Sequence, residues 1–453
     1  MQKKEDEASI RSRSSTVGFD DIIGHKNVKK RLKAIVRIFT NPEIVAEFKI
    51  SPPKGMLIYG PPSVGKGMLA RAFAKEAKVP YFEISGSRLF DAAYIKSVYE
   101  KAKAQAPCIV LLEDIDIKGL YHGTITNISF SDVAKEIEDV PVDNGKYVFT
   151  IATAVELEEI DPVLTAPGKL DFLVEVSKLD QEARRFFIEK ILQKPNDGKI
   201  DVKRIVRYIT GLGAADLERL GRMAALAVIE QGKKVITEDI LIEQINIIKY
   251  GHKLENQMIK NLETEMKMTA YHEAAHAIVS YILLPNVKIE QITISPRSKM
   301  LGFVSYNTED QIATVTKEEI FNDICVLLSG QIAKIRKTGK SYAIDTGAVD
   351  DLYQATFQAY NAISVLGMDK QLGFINLSAI SQNDPYFLSE AIEKRLLKWI
   401  EEAQKVATAL VEEYWSQIDQ LARTLIEKEV VESDELVKLL GKRKPRHVLP
   451  RTL

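Results

Sequence analysis

Met56-Leu57-Ile58-Tyr59 runs straight into Gly60-Pro61-Pro62-Ser63-Val64-Gly65-Lys66, and an apolar helical pattern follows from Met68 to Ala77. A short unbroken apolar run marks a strand buried on both faces, which requires a parallel sheet covered by helices. A strand, a glycine-bounded loop and a helix with Lys at its start make a phosphate cradle. Backbone N–H groups and the helix N-terminus face the anion, and Lys66 neutralises its outer charge. This order commits the first half of the chain to an α/β layer with a nucleotide pocket or the direct remnant of one. A second buried strand, Ile109-Val110-Leu111-Leu112, ends in Glu113-Asp114-Ile115-Asp116, acids placed where magnesium and an attacking water are handled.

Two details depart from a working phosphate-transfer site. The residue after Lys66 should carry the hydroxyl that holds magnesium, and Gly67 has no side chain. At the second strand the usual order of Asp then Glu is reversed, so each carboxylate sits about one methylene from its expected reach. A displacement near 1 Å can cost ~100-fold in rate. Binding tolerates these changes better than hydrolysis does, and coordination of Mg2+ is doubtful.

The second half contains His272-Glu273-Ala274-Ala275-His276 within a stretch free of Gly and Pro. On a helix, residues four apart share a face, so both imidazoles can reach one metal ion. Glu273 then projects beside that ion as a general base for its bound water, the zinc-peptidase arrangement. A catalytic zinc usually takes three protein ligands. His25, His122, His252 and His447 offer no obvious partner, so a carboxylate is the better third ligand. Asp345-Thr346-Gly347-Ala348-Val349-Asp350-Asp351 precedes a helical stretch from Asp351 to Ala362. Spacing alone leaves Asp345, Asp350 and Asp351 open, and Asp350 and Asp351 also suit a plain helix start.

Composition narrows the rest. With 453 residues there is room for two to four domains. The 62 basic and 63 acidic residues leave a net charge of -1, which gives no case for nucleic-acid binding. Cys108 and Cys325 lie in apolar runs and read as buried free thiols of a reducing compartment. No stretch approaches the ~18 apolar residues of a transmembrane helix, and the charged start is not a signal peptide. The chain as given reads as cytoplasmic, or as lying at the cytoplasmic face of a membrane if an anchor precedes Met1.

Taken together, these motifs resemble the FtsH family of AAA+ zinc proteases, from Phe19 to about Leu440. Phe19-Asp20-Asp21-Ile22-Ile23-Gly24 is similar to the segment lining the adenine pocket, and Pro80 to Ser87, Ala106 to Cys108 and Gly211 to Leu217 match in order. The resemblance implies a doubly wound α/β AAA+ domain, a small helical lid and a mostly α-helical zinc metalloprotease domain. Nucleotide contacts would fall on Ile22, Ile23, Gly60, Pro61, Pro62, Ser63, Val64, Gly65, Lys66, Gly67, Met68, Glu113 and Asp114. It also carries the third Zn2+ ligand onto Asp351, beside His272 and His276, with Glu273 as the catalytic base. Thr293 to Pro296 and Leu301 to Tyr306 resemble paired strands flanking the active site, the latter an edge to which a peptide adds. Members are hexamers that thread unfolded or flexible proteins to a zinc chamber.

Departures from the family pattern cluster in the motor. The sensor Asn falls on Ala154, the two arginine fingers fall on Lys169 and Phe172, and a neighbouring Arg falls on Ala166. One such finger can be worth about a thousandfold in rate. The chain is also shorter between Gly86 and Ala106, where the aromatic pore loop is missing, and Phe90 and Tyr94 there read as helix-face residues.

The expected layout is a disordered tail over 1–15, the α/β nucleotide subdomain over 16–180 and its lid over 181–250. A connector over 251–265, the protease domain over 266–440 and a basic tail over 441–453, its run from Gly441 to His447 read as a solvated end, complete it. The preferred reading is a zinc endopeptidase whose AAA+ module binds ATP and hydrolyses it weakly, assembled as a homohexamer. The alternatives are a fully ATP-driven unfolding protease and a non-enzymatic scaffold in a mixed ring of related subunits.

Overall fold

The computed structural model describes residues 10–41, 43, 47–49, 52–116, 119–121, 124–126, 130–140, 142–143, 146–254, 261–298, 301–307, 314–339, 346–379, 389–441 and 446–453. The chain divides into two compact units, Met1–Leu241 and Ile242–Leu453. Residues Ile242 to Tyr250, expected with the lid, group with the second unit.

The first unit is built on a sheet of β1 (Gly55–Tyr59), β2 (Tyr81–Ser85), β3 (Cys108–Glu113), β6 (Val142–Asp143), β7 (Lys146–Ala154) and β8 (Phe172–Glu175). The parallel order is β2-β3-β7-β1-β8, with β6 antiparallel on β7, while β4 (Gly119–Tyr121) and β5 (Thr124–Thr126) form a separate hairpin. β1 and β3 are buried along almost their whole length, as unbroken apolar runs in a doubly covered sheet must be. Because β1 lies inside the sheet while β2 and β3 follow toward one edge, its carboxyl end opens on a crevice suited to a ligand. The helix α1 (Lys66–Glu76) starts there, and α2 (Gln181–Ile191) and α3 (Ala214–Glu230) belong to the helical part that follows β8.

Ile10 to Ser15, expected in a disordered tail, are a correction. Arg13 exchanges both backbone hydrogen bonds with Tyr81, at 2.8 and 2.9 Å, and so extends beside β2. A sheet edge takes any backbone with N–H and C=O to pair, whatever the polarity of its side chains.

The second unit is mostly helical. At its centre lies α4 (Leu262–Leu283), with every residue from Thr269 to Leu283 buried. It packs on α5 (Lys317–Thr338), on α8 (Trp415–Lys428) and on β9 (Lys288–Thr293). Helix α5 begins with a capping box. Thr316 Oγ1 accepts from the Glu319 N–H at 3.2 Å, and the Glu319 carboxylate accepts from the Thr316 N–H at 2.8 Å. Next come α6 (Val349–Ser364) and α7 (Ser389–Glu413). The small sheet runs β10 (Phe303–Asn307), β9, β11 (Val430–Glu432), so β10 is an outer strand among the described residues.

Trp399 is fully buried on α7, and its indole N–H donates to Asp369 Oδ2 at 2.9 Å, while Arg395 Nε donates to the same oxygen at 2.8 Å. Trp399 thus serves packing, and Cys108 and Cys325 are buried free thiols. Gly441, Arg446 and His447 of the basic run are exposed, while the last residue is anchored. Leu453 is buried and its carbonyl accepts from the Lys370 N–H at 2.9 Å, while Arg446 pairs with Glu413. The basic residues Lys442 to Lys444 fall outside the described residues. Among the described residues no helix is long and apolar enough to cross a membrane.

Candidate metal centre and phosphate loop

Helix periodicity brings His272 and His276 onto one face of α4, with ring centroids 4.4 Å apart and ring planes nearly perpendicular. Their Nε2 atoms stand 3.0 Å from each other and 3.0 and 3.3 Å from Asp351 Oδ2. Asp351 lies in the first turn of α6, where the helix dipole favours a negative charge. Asp350, one residue earlier, is exposed, and Asp345 falls outside the described residues. Of the three aspartates that spacing left open, Asp351 is the one held against the imidazoles.

Three ligand-type atoms converging in this way could hold a metal ion. Zinc bound to N and O at ~2.0–2.1 Å in tetrahedral geometry separates its ligands by about 3.3 Å, close to the three edges found. His276 Nδ1 is 2.8 Å from the Val326 carbonyl, to which it donates, so that its Nε2 is left with a lone pair. Two neutral imidazoles and a carboxylate are a donor set that suits zinc. The residues therefore fit the ion.

Close approach between helices makes the triad possible. A Cβ on Gly330 of α5 would meet His272 Nδ1 at 2.5 Å and His276 Nε2 at 2.6 Å. The two imidazoles occupy space that any side chain at position 330 would claim. Sequence reasoning did not reach Gly330 or the Val326 carbonyl, although a glycine inside an apolar helix costs ~1 kcal/mol against alanine and so signals a packing reason.

The charges fit this chemistry. Burial pushes Glu273 up to about 7, near the pH at which a general base works best. Asp351 is raised by burial, but its hydrogen bonds to both imidazoles outweigh that and hold it well below the usual carboxylate range. Burial and the neighbouring His276 push His272 down. Burial acts the same way on His276, yet Asp351 and Glu273 overcome it and hold that ring up at about 9. A divalent cation bound here competes with protons for the same ring nitrogens.

Tyr306 of β10 is raised by burial, with the charges of Glu273 and Asp351 adding to the effect. A Cβ on Gly302, the residue before β10, would meet Glu273 Cγ at 3.0 Å, so this edge strand begins beside the metal centre. A cavity of about 730 Å³ opens beside Tyr306, lined also by Leu283, Asp323, Phe357 and by Gln354, one turn along α6 from Asp351.

In the first unit the predicted loop is a strongly bent turn: Gly60, Ser63 and Gly65 all have positive φ. Ile22, Ile23, Pro62, Ser63, Val64, Gly65, Lys66, Gly67, Met68, Glu113 and Asp114 line a single cavity of about 410 Å³. Gly60 and Pro61 line a neighbouring one of about 630 Å³, with Lys178 and Gly211 to Gly213. The Lys66 ammonium is buried and donates to the Gly60 and Pro61 carbonyls at 2.7 and 2.9 Å. Ala154 ends β7 fully buried, and Lys169 is engaged by Glu138 of the same chain at 2.6 Å. Phe90 and Tyr94 pack against the core of this unit.

Two family models match the sequence: Peptidase family M41 over residues 259–439, and the ATPase family associated with various cellular activities over residues 56–178. Among similar curated proteins is an "ATP-dependent zinc metalloprotease FtsH" from Chlorobium luteolum, 30% identical over 94% of this chain and 63% of its own length. Proteins of the same description from Thermotoga maritima and Neorickettsia risticii are each 30% identical over 95% of this chain, and cover 74% and 70% of their own lengths.

Proposed function

Since this chain belongs to the FtsH family of ATP-dependent zinc metalloproteases, we propose that it is a zinc endopeptidase acting on unfolded or flexible proteins, with an AAA+ module that binds ATP or ADP and hydrolyses it weakly. The observation that carries the peptidase reading is the convergence of His272, His276 and Asp351 beside the buried Glu273.

His272, His276 and Asp351 hold the zinc in this reading. When bound, the ion supplies a Lewis acid that lowers the pKa of water and polarises the scissile carbonyl. Glu273 takes a proton from the attacking water and returns it to the leaving amine, a role suited to a carboxyl raised toward neutrality. The substrate lies along the outer strand β10, its backbone paired with Phe303 to Asn307 as an added strand. Such pairing needs extended chain, so folded proteins are poor substrates and loose ones good. The cavity next to Tyr306 and Gln354 takes an apolar side chain beside the cleaved bond.

On the nucleotide side, the absence of a hydroxyl at Gly67, the buried Ala154 and the tethered Lys169 support weak hydrolysis. The module then serves to assemble a ring, a homohexamer in this reading. A fully ATP-driven unfoldase draws its support from the retained loop and Lys66.

Removal of zinc tests the peptidase reading directly. Treatment with 1,10-phenanthroline is expected to abolish casein cleavage, and stoichiometric zinc to restore it. Cleavage that survives complete removal of metal, measured by plasma emission, would exclude this reading.

A further inference from the structure

Arg71 stands one turn beyond Gly67 on the same face of α1. Its Nη2 donates to Glu113 Oε1 and to Glu83 Oε1, each at 2.7 Å. Glu83 and Glu113 lie on the adjacent parallel strands β2 and β3 and point to the same side, and Glu83 is also paired with Arg13. The acid at the strand end is thus already matched with a fixed cation from its own chain.

The substitutions around it are matched to each other. A Cβ on Gly67 would meet Glu113 Oε1 at 2.5 Å and Arg71 Nη1 at 3.5 Å. Glutamate, one methylene longer than aspartate, carries its carboxylate into the volume a hydroxyl side chain at position 67 would fill. The lost hydroxyl and the longer acid are therefore one change, and Arg71 completes it. Mg2+ requires near-octahedral oxygen coordination and gives up water reluctantly. Here one expected ligand is a glycine and the other is a carboxylate bound to a guanidinium. These residues do not fit magnesium.

Arg71 lines the same cavity of about 410 Å³ as Lys66 and Gly67, the space available to phosphates. We infer that Arg71 takes the place of magnesium, and that this pocket binds a nucleoside di- or triphosphate without a divalent cation. The inference rests on the reading of this cavity as a nucleotide site. Arginine matches phosphate oxygens with planar, charge-assisted hydrogen bonds. A bound nucleotide would then act as a structural anion rather than as fuel.

The test is equilibrium binding of N-methylanthraniloyl-ADP to the full chain, with excess magnesium and separately with excess EDTA. The two affinities are expected to agree within about twofold. Arg71→Gln is expected to weaken binding in EDTA about tenfold or more, the worth of a charged hydrogen bond. The double variant Gly67→Ser, Glu113→Asp is expected to bind better with magnesium than without. Tight binding only with magnesium would overturn the inference and leave the nucleotide site intact. Binding in neither condition would remove the nucleotide reading itself, and the inference with it. Should Arg71→Gln fail to fold, the comparison on the unaltered chain still decides.

Discussion

Glu273→Gln is expected to cut casein cleavage by about 10²–10⁴-fold, the usual worth of a positioned general base, while the chain keeps its zinc. The amide has nearly the same shape but cannot accept the proton. Glu273 lies between the two imidazoles in sequence, is buried, and contributes no atom to the converging triad. Zinc content measured by plasma emission should therefore match the parent, and only turnover should fall. A variant that lost its zinc together with its activity would place Glu273 among the ligands. Undiminished cleavage would remove it from the chemistry.

Gly330→Ala is the second large effect. Its methyl carbon would lie 2.5 Å from His272 Nδ1 and 2.6 Å from both His272 Cε1 and His276 Nε2, well inside van der Waals contact. Neither partner can yield cheaply: α4 is buried from Thr269 to Leu283, and α5 packs on it, with Ile324, Cys325 and Leu328 in the same apolar core. Overpacking of this kind costs about 1–3 kcal/mol. The imidazoles must tilt, and displacing groups that orient metal ligands typically costs 10–100-fold in metal affinity or activity. Competition against a zinc indicator is expected to give an affinity lower by about that factor. An unchanged affinity would mean that the helices approach less closely than described.

Much of both sites was legible because their spacing is local. Strand, loop and helix follow one another between Met56 and Ala77, and a helix of 3.6 residues per turn places His272 beside His276 with no further information. Asp351 was legible only by resemblance, since a residue 75 positions after His276 is brought in by the tertiary fold. Gly330, the Val326 carbonyl and the Arg71–Glu83–Glu113 cluster were missed for the same reason. Arg71 meets Glu113 across 42 positions, a contact that the topology of β3 against α1 creates. The start of the chain misled for a different reason. Polarity suggested a free tail, but the backbone of Arg13 pairs with Tyr81. Local composition does not report whether a nearby edge needs filling.

The central claim is that the zinc site works as a peptidase without a turning motor. Its most direct test is casein degradation by the zinc-loaded chain with ATP, with a non-hydrolysable ATP analogue and with no nucleotide, taking Glu273→Gln as the blank. The account predicts cleavage at comparable rates with ATP and with the analogue. Cleavage that requires ATP and stops with the analogue would contradict it, and would mean that a pocket with Gly67, Ala154 and Lys169 still turns over.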